Sequence, residues 1–202
     1  MKKLASTALL SLSAFALSAQ AEPVKFAGVN FGTSVSAVEY DGSITGSADE
    51  NTDASSTYSL AFGIKERTFR LYGEGSFENN EFANTSMITL NADYIYAIPS
   101  HNKASLFAGA SMGHATLNWD EDNAVVKSIG LDGESDDSFV YGAKIGAKYM
   151  VIPKAEVEFG YRQIYTSLKS EGSQTLQNGQ TDFVDLSVDD TALTYVGVNY
   201  AF

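Results

Sequence analysis

The chain contains no cysteine, so no disulfide staples it and no thiol chemistry is available to it. Two histidines, His101 and His114, leave little material for general acid–base work or for imidazole ligation of a metal. Only three prolines occur, whereas glycines and aromatics are plentiful. Bases are also scarce: 13 Lys and Arg stand against 25 Asp and Glu, a net charge of −12. That balance excludes a nucleic-acid binder, which needs cationic surface. After residue 21 no apolar run approaches 18 residues, so no transmembrane helix is expected there.

The first 21 residues read as a cleavable signal peptide. Lys2 and Lys3 open it, Leu4 to Leu17 form a short apolar stretch, and Ala19-Gln20-Ala21 is an A-x-A cleavage site. The mature domain is expected to span residues 22–202, and loss of Lys2 and Lys3 takes its net charge to −14.

Within that domain eight segments alternate with period two, the pattern of strands with two unlike faces. The first runs from about Lys25 to Val38, with Val29, Phe31 and Val35 opposite Asn30, Ser34 and Ser36. The second sets Tyr58, Leu60, Phe62 and Ile64 against Ser59, Ala61, Gly63 and Lys65; the third sets Phe69, Leu71 and Phe77 against Arg70, Tyr72 and Glu74. In the fourth, Ile88, Leu90, Tyr94 and Tyr96 oppose Thr89, Asn91 and Asp93. The fifth, Ser105 to Leu117, is the least regular; placing Leu106, Ala108, Ala110 and Met112 outward turns Phe107 inward. The sixth has Phe139, Tyr141, Ile145 and Tyr149 opposite Lys144 and Lys148, and the seventh has Val157, Phe159, Tyr161 and Tyr165 opposite Glu156, Glu158 and Arg162. The eighth ends the chain, with Thr194, Val196, Val198, Tyr200 and Phe202 on its apolar face.

Connections after odd-numbered segments are mostly long and polar (Glu39–Ser55, Glu78–Thr85, Trp119–Ser138, Leu168–Thr191), and those after even-numbered ones are short. Loops sorted by length are the signature of an outer-membrane barrel; a secreted β-sandwich alternates similarly but has no reason to sort its loops. The expected fold is therefore all-β: an eight-stranded antiparallel up-and-down transmembrane β-barrel with both termini periplasmic. An eight-stranded bore is just wide enough to be filled by its own side chains. Lys65, Arg70, Lys144, Lys148 and Arg162 should meet Glu74, Asp93, Glu156 and Glu158 there as a paired network; the alternative is a narrow charged path for solutes. Aromatics are expected to form two girdles, Tyr40, Tyr58, Trp119, Phe139 and Tyr165 at the external ends and Phe69, Tyr94, Tyr96, Tyr149 and Phe202 at the periplasmic ends.

The outward Val196, Val198, Tyr200 and terminal Phe202, together with Val157-Glu158-Phe159-Gly160-Tyr161-Arg162, resemble the small eight-stranded outer-membrane barrels of OmpA/OmpX type, the broad outer-membrane β-barrel domain family. The resemblance implies fold and location. It also implies that Tyr200 and Phe202 are read by the barrel-assembly machinery, and it says little about activity.

The four long connections hold 19 acidic residues against Lys127 and Lys169, so acidity is concentrated on the expected external side. That suits mobile polar loops, divalent-cation bridging to lipopolysaccharide, or docking onto a basic host partner. Asp49-x-Asn51-x-Asp53 begins like a calcium loop, but Ala54 replaces the required Gly and Leu60 the bidentate Glu. The carboxylates at Asp120–Asp122 and Asp132–Asp137 have no fixed ligand geometry. Small barrels of this kind include lipid A deacylases, but His114 is followed by Ala115 and Thr116 rather than by the deacylases' His-x-Ser. No catalytic, cofactor-binding or metal residue is assigned. The expected role is a monomeric, non-catalytic surface or structural one (adhesion, host interaction or envelope integrity) in contact with outer-membrane lipid and lipopolysaccharide, without nucleic acid. A narrow passive channel is the second reading and a lipid-modifying enzyme the third.

Overall fold

Alternation of polar and apolar side chains can be satisfied everywhere at once if the sheet closes on itself, because closure leaves no unpaired edge and gives every strand an inside and an outside. The computed structural model describes residues 23–42, 46–79, 83–99, 101, 103–119, 135–175 and 180–202. These form eight strands: β1 (Val24–Gly42), β2 (Gly46–Lys65), β3 (Phe69–Asn79), β4 (Ala83–Ala97), β5 (Ala104–Trp119), β6 (Ser135–Ile152), β7 (Ala155–Thr175) and β8 (Thr181–Ala201). All neighbours are antiparallel, and the order β1 to β8 is closed by a ladder between β1 and β8 running from Phe26↔Ala201 to Gly42↔Val184.

The expected faces hold on all eight strands. Ile88 is 76 % exposed and Leu60 and Phe31 each 65 %, while their chain neighbours Thr89, Ser59 and Asn30 are buried. In water such an exterior would be a liability; in a bilayer it is the solvated side. Phe107 does turn inward.

Strand length is where the structure corrects the expectation. Strands of about 9–11 residues suffice to cross a bilayer, yet β2 has 20 residues and β7 and β8 have 21 each. Most of the expected connection Glu39–Ser55 is strand, paired from Val38↔Asn51 down to Val35↔Ala54, and Leu168–Thr191 is likewise mostly a β7–β8 hairpin. Polar Ser, Thr and Asp residues in these stretches looked like loop, but outside hydrocarbon a two-stranded ladder needs no apolar face. Many of the acidic residues assigned to loops, including Glu39, Asp49, Glu171 and Asp185, therefore sit on strand extensions.

The wall is consequently uneven. Among the described residues β2 pairs with β3 up to Ser56↔Asn79, and β6 pairs with β7 up to Tyr141↔Tyr165, although β2, β6 and β7 all continue. At the opposite end the turns are short, with Glu66 N donating to Phe69 O at 2.8 Å and His101 N donating to Ile98 O at 3.0 Å.

Candidate functional site

The bore is crossed by ion pairs between strands that stand opposite one another. β3 and β7 are four strands apart in a ring of eight, so a contact between them spans the diameter. Arg70 on β3 reaches Glu158 on β7 with two parallel bonds, Nη1 to Oε2 at 2.7 Å and Nη2 to Oε1 at 3.2 Å. Arg162 on β7 returns the contact to Glu74 on β3, Nη2 to Oε2 at 2.5 Å. Nearer the chain termini, Lys65 on β2 meets Glu156 on β7 at 2.6 Å, and Lys148 stands 3.8 Å from the same carboxylate.

Asp93, Lys144 and several neutral side chains complete the network. Asp93 accepts from Arg70 Nε at 2.5 Å and faces Lys144 Nζ at 3.1 Å. Lys144 also donates to Tyr72 OH and, at 3.0 Å, to Asn91 Oδ1. Asn199 Nδ2 donates to Glu158 at 2.8 Å, and Ser59 Oγ to Glu74 at 2.7 Å. The nine charges expected inside are all there. Glu78 joins them: it was expected at the start of a loop, but it is buried and accepts from Ser36 Oγ at 3.4 Å. With it, five cations meet five carboxylates below the rim among the described residues, so the bore carries no net charge to drive the ions apart.

Rings pack around the central cation. The Arg70 guanidinium lies 4.7 Å from the Tyr72 ring centroid, 5.2 Å from Phe107 and 5.7 Å from Phe26. Two inward rings fit because glycine stands opposite them: Phe107 faces Gly146, and Tyr195, whose ring centroid lies 5.7 Å from the Arg162 guanidinium, faces Gly160. A Cβ on Gly146 would lie 2.5 Å from Phe107 Cζ, and one on Gly160 2.5 Å from Tyr195 Cζ.

Toward the long hairpins the lumen changes character on one side. Ala83, Met87, Ala115, Leu117, Trp119, Val140, Ile164 and Leu168 form a buried apolar cluster on β4 to β7, with Val188 of β8 packed against it. The facing strands offer Ser34, Ser36, Thr57 and Glu78 instead. This cluster was not anticipated, and it corrects the girdle assignment of Trp119. That residue points into the barrel, is 8 % exposed, and donates from Nε1 to Ser170 Oγ at 2.8 Å. Continuing the parity of β5 past Met112 puts Ala115, Leu117 and Trp119 on the inner face, which is the signal that would have found them. The other girdle residues are outward where described: Tyr58 stacks on Phe77 at 5.4 Å and Tyr141 on Tyr165 at 5.4 Å, while Tyr94, Tyr96, Tyr149 and Phe202 lie exposed at the terminal end. The side chain of Tyr40 lies outside the description.

Candidate catalytic and metal positions come apart in space. His114 lies exposed on the outer face, opposite Ile88 and Phe139, and no described Ser or carboxylate bonds to it. Asp49, Asn51 and Asp53 lie on a paired strand rather than in a loop. Residues 120–134, with Asp120–Asp122 and Asp132 of the other acidic cluster, lie outside the described residues, as do residues 1–22, which include the expected signal peptide 1–21. Asp136 accepts from the Lys169 amide at 2.5 Å and Asp137 from Thr116 Oγ1 at 2.6 Å, and the described residues contain no group of carboxylates or histidines arranged to hold a metal.

Solved structures share this architecture. Neisserial surface protein A (NspA) matches at a TM-score of 0.55 with 16 % identity, covering 87 % of this chain and 97 % of its own. The outer membrane protein OprG from Pseudomonas aeruginosa matches at 0.58 with 14 % identity, covering 89 % and 96 %. Outer membrane protein H (OprH) from P. aeruginosa matches at 0.50 with 18 % identity, covering 89 % and 99 %. At such identities the likeness is one of fold. No curated protein matches the sequence. A closed eight-stranded wall, an apolar exterior and a charge-neutral bore agree with the sequence family whose model spans residues 7–202: the chain belongs to the outer membrane protein beta-barrel domain family.

Proposed function

We propose that this outer-membrane barrel acts at the cell surface without catalysis, its bore closed to axial flow and its acidic strand extensions turned outward as the interacting surface. The observation that carries this reading is the pair of reciprocal struts, Arg70 to Glu158 and Arg162 to Glu74, across the full diameter. Eight strands leave only enough room for such side chains, and removing either partner would strand a buried charge. The termini then face the periplasm, where Tyr200 and Phe202 present their exposed rings to the assembly machinery. The hairpins of β1–β2 and β7–β8 rise on the far side, beside lipopolysaccharide. Their carboxylates favour a cationic partner, such as a basic host surface or a divalent ion bridging to lipid phosphates.

Two measurements test this. Reconstituted in planar bilayers, the protein is expected to give no steady unitary current; a reproducible open level would replace the closed bore with a channel. Binding to cells or to a basic matrix is expected to fall when the β1–β2 and β7–β8 extensions are trimmed to the barrel rim. Equal binding by the trimmed barrel would remove the surface-interaction reading.

A further inference from the structure

We infer that the outer wall carries a seat for one anionic phospholipid, with an acyl chain in a furrow across β4 to β7 and the phosphate on Lys103 and Lys154. The furrow is an empty volume of about 570 Å³ on the outer face, lined almost wholly by carbon. Its shape follows from the register. Ala108 pairs with Ile145 and Leu106 with Ala147, so the two small residues lie on one diagonal of the β5–β6 pair. Tyr94 and Tyr96 of β4 border them on one side, and Phe159 and Tyr161 of β7 on the other. These four rings are exposed, while the alanines between them reach out by a single carbon. A chain lying in such a recess touches protein on both flanks and below, which a projecting side chain on a convex wall cannot offer.

The cations stand at the foot of the furrow. Residues 98–103 join β4 to β5 and residues 153–154 join β6 to β7, and neither turn contains an acid. Lys103 O accepts from Met150 N at 2.7 Å, which fixes this residue against β6, and Lys154 O accepts from Ala201 N at 2.7 Å. Both lysines are exposed, and neither side chain has a partner among the described residues. Lys103 precedes Leu106 by three residues, about 10 Å of strand. The exposed Tyr149, paired with Ala104, lies between these levels, where an aromatic marks the membrane boundary. A chain in the furrow therefore leaves its glycerol phosphate beside the lysine. The described acids at this end lie elsewhere: Glu156 points inward to Lys65 at 2.6 Å, and Glu66 follows β2 on the opposite side of the ring. Phe202, which ends the sequence, closes against Lys25, N to O at 3.0 Å.

Charge selects the occupant. Two free lysines with no acid beside them favour a headgroup whose phosphate is not neutralised by its own ammonium, hence phosphatidylglycerol over phosphatidylcholine. A second copy of the barrel fits poorly, because seated face to face it would set Lys103 and Lys154 against their own counterparts. With the termini in the periplasm, as proposed above, the seat lies in the phospholipid leaflet. Binding itself needs only the furrow and the lysines, so vesicles with the same lipids in both leaflets test it whichever way the barrel inserts.

Because Trp119 is the only tryptophan, Trp119→Phe gives a silent background for a reporter. In that background Tyr96→Trp reports from the furrow, and Phe62→Trp reports from β2 on the opposite wall. Each is inserted into phosphatidylcholine vesicles containing dibrominated phosphatidylglycerol or dibrominated phosphatidylcholine at the same mole fraction. The glycerol lipid is expected to quench the Tyr96→Trp reporter more strongly, with a relative affinity of at most about fivefold per lysine. The Phe62→Trp reporter should show no preference. Lys103→Gln with Lys154→Gln should remove the preference, and so should Ala147→Phe, which fills the furrow. Equal quenching by the two lipids at Tyr96→Trp overturns the anionic seat. An equal preference at Phe62→Trp would belong to the whole rim, and one that survives Ala147→Phe would place the phospholipid outside the furrow; either refutes the site. If Ala147→Phe does not insert, Ala108→Leu fills the furrow from β5, and if Tyr96→Trp does not, Phe159→Trp reports from its other flank.

Discussion

Arg70 and Glu158 face each other across the whole bore and share two hydrogen bonds at 2.7 and 3.2 Å, while the Arg70 Nε holds Asp93 at 2.5 Å. One guanidinium thus ties β3 to β4 beside it and to β7 opposite. Arg70→Met removes the cation and leaves two buried carboxylates without their main partner, a loss expected to cost about 3–5 kcal/mol. Urea unfolding in lipid vesicles measures it. Adding Glu158→Gln to that variant is expected to recover part of the loss, and strict additivity of the two substitutions would argue that the strut carries no coupling.

Gly160→Ala tests the ring-on-glycine packing. The new methyl meets the Tyr195 ring, which lies 5.7 Å from the Arg162 guanidinium, and overpacking is expected to cost about 1–3 kcal/mol. In a Tyr195→Leu background the same substitution should cost clearly less, because the shorter side chain withdraws from the contact. An equal cost in both backgrounds would place the strain elsewhere.

On the outer face, Val198 lies among Val196, Tyr200 and Phe202, all half exposed. Val198→Arg puts a charge against hydrocarbon and is expected to cost about 2–4 kcal/mol at mid-membrane depth. Folding yield into vesicles, read from the altered gel mobility of the folded barrel, checks the face assignment. A wild-type yield would contradict it.

Trp119 should behave as an interior residue. Its emission is expected to be blue-shifted and insensitive to iodide in the water phase. Trp119→Phe, which leaves Ser170 without its indole donor, should lose about 0.5–1.5 kcal/mol. Strong iodide quenching would return it to the rim.

Why the faces were legible and the heights were not follows from what each depends on. A strand offers only two sides, so one secure residue such as Ile88 or Arg70 sets every neighbour, and Phe107 could be turned inward from Leu106 and Met112 alone. The upper limit of a strand has no such rule. Once β1, β2, β7 and β8 leave the membrane, alternation is no longer enforced, and Ser-, Thr- and Asp-rich chain pairs as well as any other. Glu78 on β3 and Trp119 on β5 were lost at strand ends too: each opens a polar stretch and looked like the first residue of a loop, and parity was not carried through them. The apolar cluster inside the barrel was unread because its members come from five strands and no single strand shows more than three. The cross-bore struts were half legible. Period two placed the charges inside, but that β3 meets β7 follows only from counting around a closed ring.

The ladder between β1 and β8, from Phe26↔Ala201 to Gly42↔Val184, joins the first strand made to the last. Until Ala201 is available, a growing sheet has two raw edges, and no subset of strands can retire both. Closure therefore waits on the pairing of greatest sequence separation in the sheet, a contact that slows folding and leaves both edges open until it forms. A variant that loses its final strand should not form a smaller barrel. It should remain an open ribbon, exposed to aggregation and to proteolysis.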